Sequence, residues 1–153
     1  MDFYPTRLKA EKMGKLVGFP KELLDMDLLW DTFFKNVNIS ATTFLENMLN
    51  MNRESTNRHT SRLREKVERL DWREYLFAAR VNALYNPAAN AAIIPAGFLQ
   101  GIVFSSSRPE YMNFGAVGFV IGHEITHGFD DKGSQTDDKG CLVDWWQPQT
   151  KKK

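Results

Sequence analysis

The pentapeptide His123-Glu124-Ile125-Thr126-His127 constrains this 153-residue chain more than any other stretch. On a helix, a four-residue step sets both imidazoles on one face, one turn apart, where they can reach a common point. The flanking residues agree with a helix. From Gly115 to Phe129 the apolar positions Val117, Ile121 and Ile125 share a face, with Val120 beside them, so the spacing predicts a helix over 115–129. Glycines 115, 118, 122 and 128 interrupt it, each costing up to about 1 kcal/mol relative to Ala. Such a helix must be held by its surroundings, and close packing against a neighbouring backbone is the expected reason for the glycines.

Two imidazoles so placed can grip one zinc ion. Glu124 lies about 100° round the helix from His123, beside the metal without ligating it, where a carboxylate serves as general base toward a water held by the zinc. The pattern therefore points to amide hydrolysis. Cys141 is the only cysteine, which rules out an internal disulfide and a cysteine-based zinc cluster, and the only further histidine is His59. A third ligand is required. A histidine six residues after His127 would mark one subclass, but that position is Gly133, which leaves a distant carboxylate. Asp131 is conceivable as a substitute but strained. Asp130 could orient a ligand imidazole from behind or cap the turn after the helix.

The rest of the chain reads as mainly α with a small β element. Thr6–Val17 is predicted as a short helix stopped by Gly18 and Pro20, and Lys21–Lys35 as a second. Ser40 is the expected N-cap of the next segment. Between Ala41 and Arg69 the apolar spacing continues, with the polar interval Asn50–Ser61 expected to split it into two helices. Val81–Tyr85 and Ala92–Pro95 read as strands around the turn-forming Asn86-Pro87. Asp130–Gly133 and Asp137–Gly140 are turn chemistry around a hairpin leading into Leu142–Trp146. Residues 1–73 thus form a helical lead-in, and 74–153 carry the chemistry.

Val81-Asn82-Ala83-Leu84-Tyr85, Ile94-Pro95-Ala96-Gly97, the run Val120–Asp131 and Leu142-Val143-Asp144-Trp145-Trp146, in this order and spacing, resemble the neprilysin and endothelin-converting enzyme family of zinc endopeptidases. The resemblance is dense from Val81 to Trp146 and looser over Thr6–Arg73, which is similar to the end of the family's accessory domain and its connection. It implies part of a thermolysin-like (gluzincin) catalytic domain, with His123 and His127 as zinc ligands and Glu124 as catalytic base. Asn82 and Ala83 match the family's edge-strand element that holds an extended peptide substrate; on residue type alone Asn82 could equally start a turn. The implied substrates are oligopeptides cleaved internally, and the implied location is extracellular or at the plasma membrane.

The family's third ligand is a downstream Glu, and after His127 this chain has no Glu at all. The expectation is weak zinc binding and little activity for the chain alone, with a truncated product as the suggested origin, since the terminal Lys151–Lys153 also fits read-through of a poly-A tract. The alternative is a catalytically dead interaction or decoy protein that pairs with a full-length relative. A net charge of +1 gives no reason to expect nucleic acid. The basic stretch Arg53–Arg73 is interleaved with Glu54, Glu65, Glu68 and Glu74 and reads as a solvated face. The short apolar runs predict no signal peptide and no membrane segment. Asn38-Ile39-Ser40 is an N-glycosylation sequon competing with the capping role of Ser40. Trp145 and Trp146 could line a pocket, but core packing is expected of them.

Overall fold

The computed structural model describes residues 3–147, and the terminal lysines lie outside them. Two compact units are formed, one from residues 21–68 and one from residues 1–20 together with 69 onward. The fold is mainly helical with one three-stranded sheet.

The second unit carries the sheet. Helix α1 (Phe3–Glu11) leads into strand β1 (Gly14–Gly18), and strands β2 (Leu84–Asn86) and β3 (Ala91–Pro95) follow. The order is β1-β3-β2, with β1 parallel to β3 (Gly14 opposite Ala91, Gly18 opposite Pro95) and β2 antiparallel to it (Leu84 opposite Ile93). Central β3 is buried along its whole length, which is why Ala-Ala-Ile-Ile-Pro is an unbroken apolar run rather than an alternating one. Pro95 sits at its end, where a missing N–H harms the ladder least.

The expected helix over Thr6–Val17 is therefore wrong in its second half. Helix α1 ends at Glu11, and Gly14–Gly18 is a strand whose residues alternate between half-buried and exposed. Long-range pairing decides this: the Gly14 N–H donates to the Asn90 carbonyl at 2.7 Å, and a Cβ on Gly14 would lie 3.1 Å from the Ala91 Cβ. A boundary at residue 73 would also part β1 from its sheet. The two expected strands are present but shifted, with β2 starting at Leu84 rather than Val81. Asn86-Pro87 does make the turn: Asn86 Oδ1 accepts the Ala88 and Ala89 N–H groups at 3.0 and 3.3 Å.

The unit of residues 21–68 holds helix α2 (Met26–Leu29), continued by a wide π turn (Trp30–Phe34), and helix α3 (Phe44–Ser61). Asp25 caps α2 by accepting the Leu28 N–H at 3.0 Å. The Arg58 guanidinium lies 4.6 Å from the Phe33 ring centroid and joins the two helices. Two expectations fail here. Thr43, not Ser40, occupies the N-cap position, because Asn47 draws Ser40 into a loop by accepting its N–H (2.9 Å) and donating to its carbonyl (2.6 Å). The polar interval Asn50–Ser61 does not split the helix. It contains no Gly or Pro, and Thr56 and Thr60 return their hydroxyls to the carbonyls of Asn52 and Thr56 within the same helix. Regular α-helix ends instead after Ser61, giving way to a short 3-10 turn at Arg62–Arg64.

In the sheet-bearing unit, helix α4 (Glu110–Asn113) runs through a π turn (Phe114–Gly118) into helix α5 (Phe119–His127), which packs against β2 and β3. The glycines of this stretch do not share one explanation. A side chain at Gly115 or Gly122 would point into open space, one at Gly118 would make ordinary contact with Asn113 and Phe114, and one at Gly128 would be tight against Met13 Cε at 3.0 Å and near Tyr85 Cζ at 3.4 Å. No helix among the described residues is long and apolar enough to cross a membrane.

Candidate metal centre and active-site cleft

Helix α5 does what the spacing of its histidines requires. The Nε2 atoms of His123 and His127 face each other at 3.0 Å, with the rings nearly perpendicular. Two nitrogens bound tetrahedrally to one zinc at the usual bond length stand about 3.3 Å apart, so a small opening of the pair admits an ion.

The far side of His127 fixes its tautomer. Its Nδ1 lies 2.7 Å from Asp130 Oδ2, and an ionised carboxylate only accepts, so Nδ1 carries a proton and Nε2 is the ring nitrogen turned toward His123. Asp130 is held ionised. The Gly133 N–H bond, then His127, hold its carboxyl below the usual aspartate range against a partial desolvation that opposes them. Its other oxygen, Oδ1, accepts the N–H groups of Lys132 (2.9 Å) and Gly133 (2.8 Å). One oxygen of Asp130 thus contacts the His127 ring and the other caps the turn after the helix. Nothing but glycine fits at 133, where a Cβ would sit 1.9 Å from the His127 carbonyl oxygen.

These groups line an open cleft of about 430 Å³, which also contains Asn82, Ala83, Leu84, Tyr85, Pro87 and Lys132. Glu124 belongs to the cleft and is 5 % exposed, while His123 is exposed and His127 half-buried. Asn82 and Ala83 lie just ahead of β2, an edge strand of the sheet, rather than within it. The sequence-derived candidates, His123, Glu124, His127, Asn82, Ala83 and Asp130, are therefore gathered in one place. Asp131 does not line the cleft: its carbonyl takes the Gln135 side chain at 2.8 Å. His59 lies on α3 in the other unit. Among the described residues no cluster of three or more His, Cys, Asp or Glu side chains is arranged to hold a metal.

Three neighbours of the site escaped the sequence reading. Tyr85, whose hydroxyl burial pushes above its usual pKa, donates to Asn90 Oδ1 at 2.9 Å. Asn90 is fully buried at a positive φ of 45°. Lys9, 1 % exposed, reaches the loop after α5 from 120 or more residues away in sequence. Only Asn90 left a trace, a polar residue abutting a wholly apolar strand after a turn. Trp145 and Trp146 stack with centroids 4.4 Å apart and donate to the carbonyls of Thr136 and Ser134, tying the chain after the expected hairpin to that same loop. Of the hairpin itself one antiparallel bridge is present, Thr136 with Leu142.

The model of peptidase family M13 matches residues 82–153. Neprilysin-2 of Drosophila melanogaster is 45% identical over 147 residues, covering 96% of this chain and 19% of that protein. Membrane metallo-endopeptidase-like 1 of Homo sapiens is 42% identical over 139 residues (90% and 18%). Human neprilysin is 37% identical over 142 residues (93% and 19%). Among solved structures, the zinc metalloprotease ZMP1 of Mycobacterium tuberculosis in complex with inhibitor superposes with a TM-score of 0.79 at 34% identity, covering 94% of this chain and 20% of that one. PepO from Lactobacillus rhamnosis gives 0.80 at 28% identity (99% and 23%). The chain spans about a fifth of the length of the relatives it matches. The family match begins at the cleft residue Asn82 and runs through both facing histidines, and the chain belongs to peptidase family M13, the metallopeptidases of neprilysin type.

Proposed function

We propose that this chain carries the metal-gripping and water-activating part of an active site that hydrolyses internal peptide bonds of oligopeptides. The observation that carries the reading is the cleft in which two facing Nε2 atoms, a buried carboxylate and Asn82 and Ala83, just ahead of edge strand β2, meet. His123 and His127 would hold one zinc ion, with Asp130 orienting His127 through Nδ1. Bound there, zinc supplies Lewis-acid polarisation of a carbonyl and lowers the pKa of water toward ~7. Glu124 takes a proton from the attacking water and can deliver it to the leaving amine. The Asn82 side chain and the Ala83 backbone hold the peptide extended, in the manner of an added strand beside β2.

Substrate peptides are the partners this chemistry needs; nucleic acid is not among them. An extracellular or plasma-membrane setting is supported by the relatives, one of which is named a membrane metallo-endopeptidase. With two imidazoles gathered and no third ligand beside them among the described residues, zinc binding by the chain alone is weak and turnover slight. Calorimetric titration with Zn²⁺ and a fluorogenic peptide assay test this together. Weak uptake abolished by His127→Ala is expected, and absence of any uptake by the intact chain overturns the reading. Pairing with a full-length relative, unaffected by Glu124→Ala, would instead favour a catalytically silent interaction role.

A further inference from the structure

Lys9 stands on α1, far ahead of the residues that the family model matches, and its ammonium is sealed inside the protein. Its three N–H donors meet three acceptors: the Gly133 carbonyl at 2.5 Å, the Thr136 carbonyl at 2.6 Å and Thr136 Oγ1 at 3.1 Å. The rings of Phe129 and Trp145 flank it, with centroids 5.8 and 5.7 Å away. Burial pushes the amine below the usual lysine pKa, opposed by the charges of Asp137 and Asp130. A buried cation of this kind is expensive unless fully bonded, so a loop that satisfies it completely is bound to one geometry.

That geometry ends at the metal site. The peptide unit whose carbonyl Lys9 holds follows Gly133, and the N–H of the same residue donates to Asp130 Oδ1. Asp130 Oδ2 in turn takes the Nδ1 proton of His127. No side chain fits at Gly133, where a Cβ would meet the His127 carbonyl, so the loop runs close behind the helix end.

We propose that Lys9 is a positioning residue for the metal centre, fixing the Gly133 peptide so that Asp130 holds the His127 imidazole in the orientation and tautomer a metal requires. The inference rests on the reading of His123 and His127 as ligands. It concerns the aim of the ring and needs no titration of any group in the chain.

The test uses the full chain and Lys9→Met, which keeps the length and loses the donors. In metal-free protein, NMR reports exchange of the Gly133 amide and the ring Nδ1–H of His127. Lys9→Met is expected to speed the first and broaden or abolish the second. Competition of the chain with a chromophoric chelator for Zn²⁺ should show about a tenfold loss of affinity. Combined with Asp130→Asn, the loss should be no greater than for Asp130→Asn alone, since both act through one contact. Thr136→Val, which removes one of the three acceptors and conserves volume, should shift the amide exchange and the affinity in the same direction by less, and serves if Lys9→Met does not fold. A lower melting temperature with wild-type Gly133 exchange and zinc affinity, or additive losses in the double variant, overturns the proposal. If the wild type takes up no zinc, the metal reading fails, while the metal-free exchange measurements still decide whether Lys9 sets the His127 ring.

Discussion

Asn90 is the residue whose replacement tests the fold most directly. It is fully buried, at φ 45°, and both of its side-chain donors and its amide oxygen are engaged. Nδ2 donates to the carbonyls of Lys9 and Asp138, both at 3.1 Å, and Oδ1 accepts the Tyr85 hydroxyl at 2.9 Å. Helix α1, strand β2, the Asp137–Gly140 turn and the start of β3 therefore converge on one amide. Asn90→Ala removes three hydrogen bonds in a dry site, each worth about 1 kcal/mol, and places a Cβ residue without local hydrogen bonding in the left-handed region, which adds roughly 1 kcal/mol. The expected loss is about 4 kcal/mol. Asn90→Gly loses the same bonds but not the backbone strain, and after its own chain-entropy cost should lie between wild type and Ala, by roughly 0.5–1 kcal/mol above Ala. Urea unfolding followed by tryptophan fluorescence measures both, because the Trp145–Trp146 stack belongs to the same unit. An Ala variant within 1 kcal/mol of wild type, or a Gly variant less stable than Ala, refutes the assignment of Asn90 as the hub of this unit.

Three further outcomes are expected. His123→Ala and His127→Ala should each lower Zn²⁺ affinity at least about tenfold while Glu124→Gln leaves it nearly unchanged, as chelator competition would show; equal losses in all three would mean that Glu124 is a ligand. Gly133→Ala drives a Cβ to 1.9 Å from the His127 carbonyl and should destabilise the protein by about 3 kcal/mol, the upper end for overpacking, which thermal unfolding would register. The Lys12 ammonium, 2.9 Å from Asp138 Oδ2, is the main cause of a lowered Asp138 pKa. A depressed folded pKa means stability that is complete above the ordinary aspartate value near ~4 and lost as pH falls through the lower folded value. The stability difference between wild type and Lys12→Ala, under about 1 kcal/mol for so open a pair, should thus hold at neutral pH and vanish in acid; a difference that grows toward low pH would reverse the sign argued here.

What was legible in the sequence is what local spacing encodes. His123 and His127 face each other because a helix repeats every 3.6 residues, and Asp130 reaches His127 because it follows one turn later. The Asn86-Pro87 turn announced itself by its own chemistry. What was not legible depends on partners far along the chain. Gly14–Gly18 has apolar spacing that suits either a helix or a strand, and its pairing with β3, more than seventy residues on, settles the matter. Asn50–Ser61 reads as a gap because Met51 is its only apolar residue, yet helix formation there needs only the absence of breakers and hydroxyls that bond back to the helix. Lys9 carried no signal at all, since a lysine on a short helix is ordinarily solvated.

The unseen part is also what holds the visible part in place. Gly122 within helix α5 and Gly115 just before it face open space and weaken the helix, so tertiary contacts help to hold it in place. Those contacts run through Gly128, whose α-carbon lies against Met13 and Tyr85, and through the loop that Lys9 and Asn90 fasten to α1 and the sheet. Met13 and Lys9 both belong to the first twenty residues, which pack in the same unit as the cleft although the family model matches only residues 82–153. A piece beginning at Asn82 would keep every residue that touches substrate or metal in the proposed mechanism. It would lose β1 from the sheet, the cation from the loop and the Met13 contact behind Gly128. The two facing histidines stand within five consecutive residues, and the helix and strand that pack with their loop lie more than a hundred positions earlier.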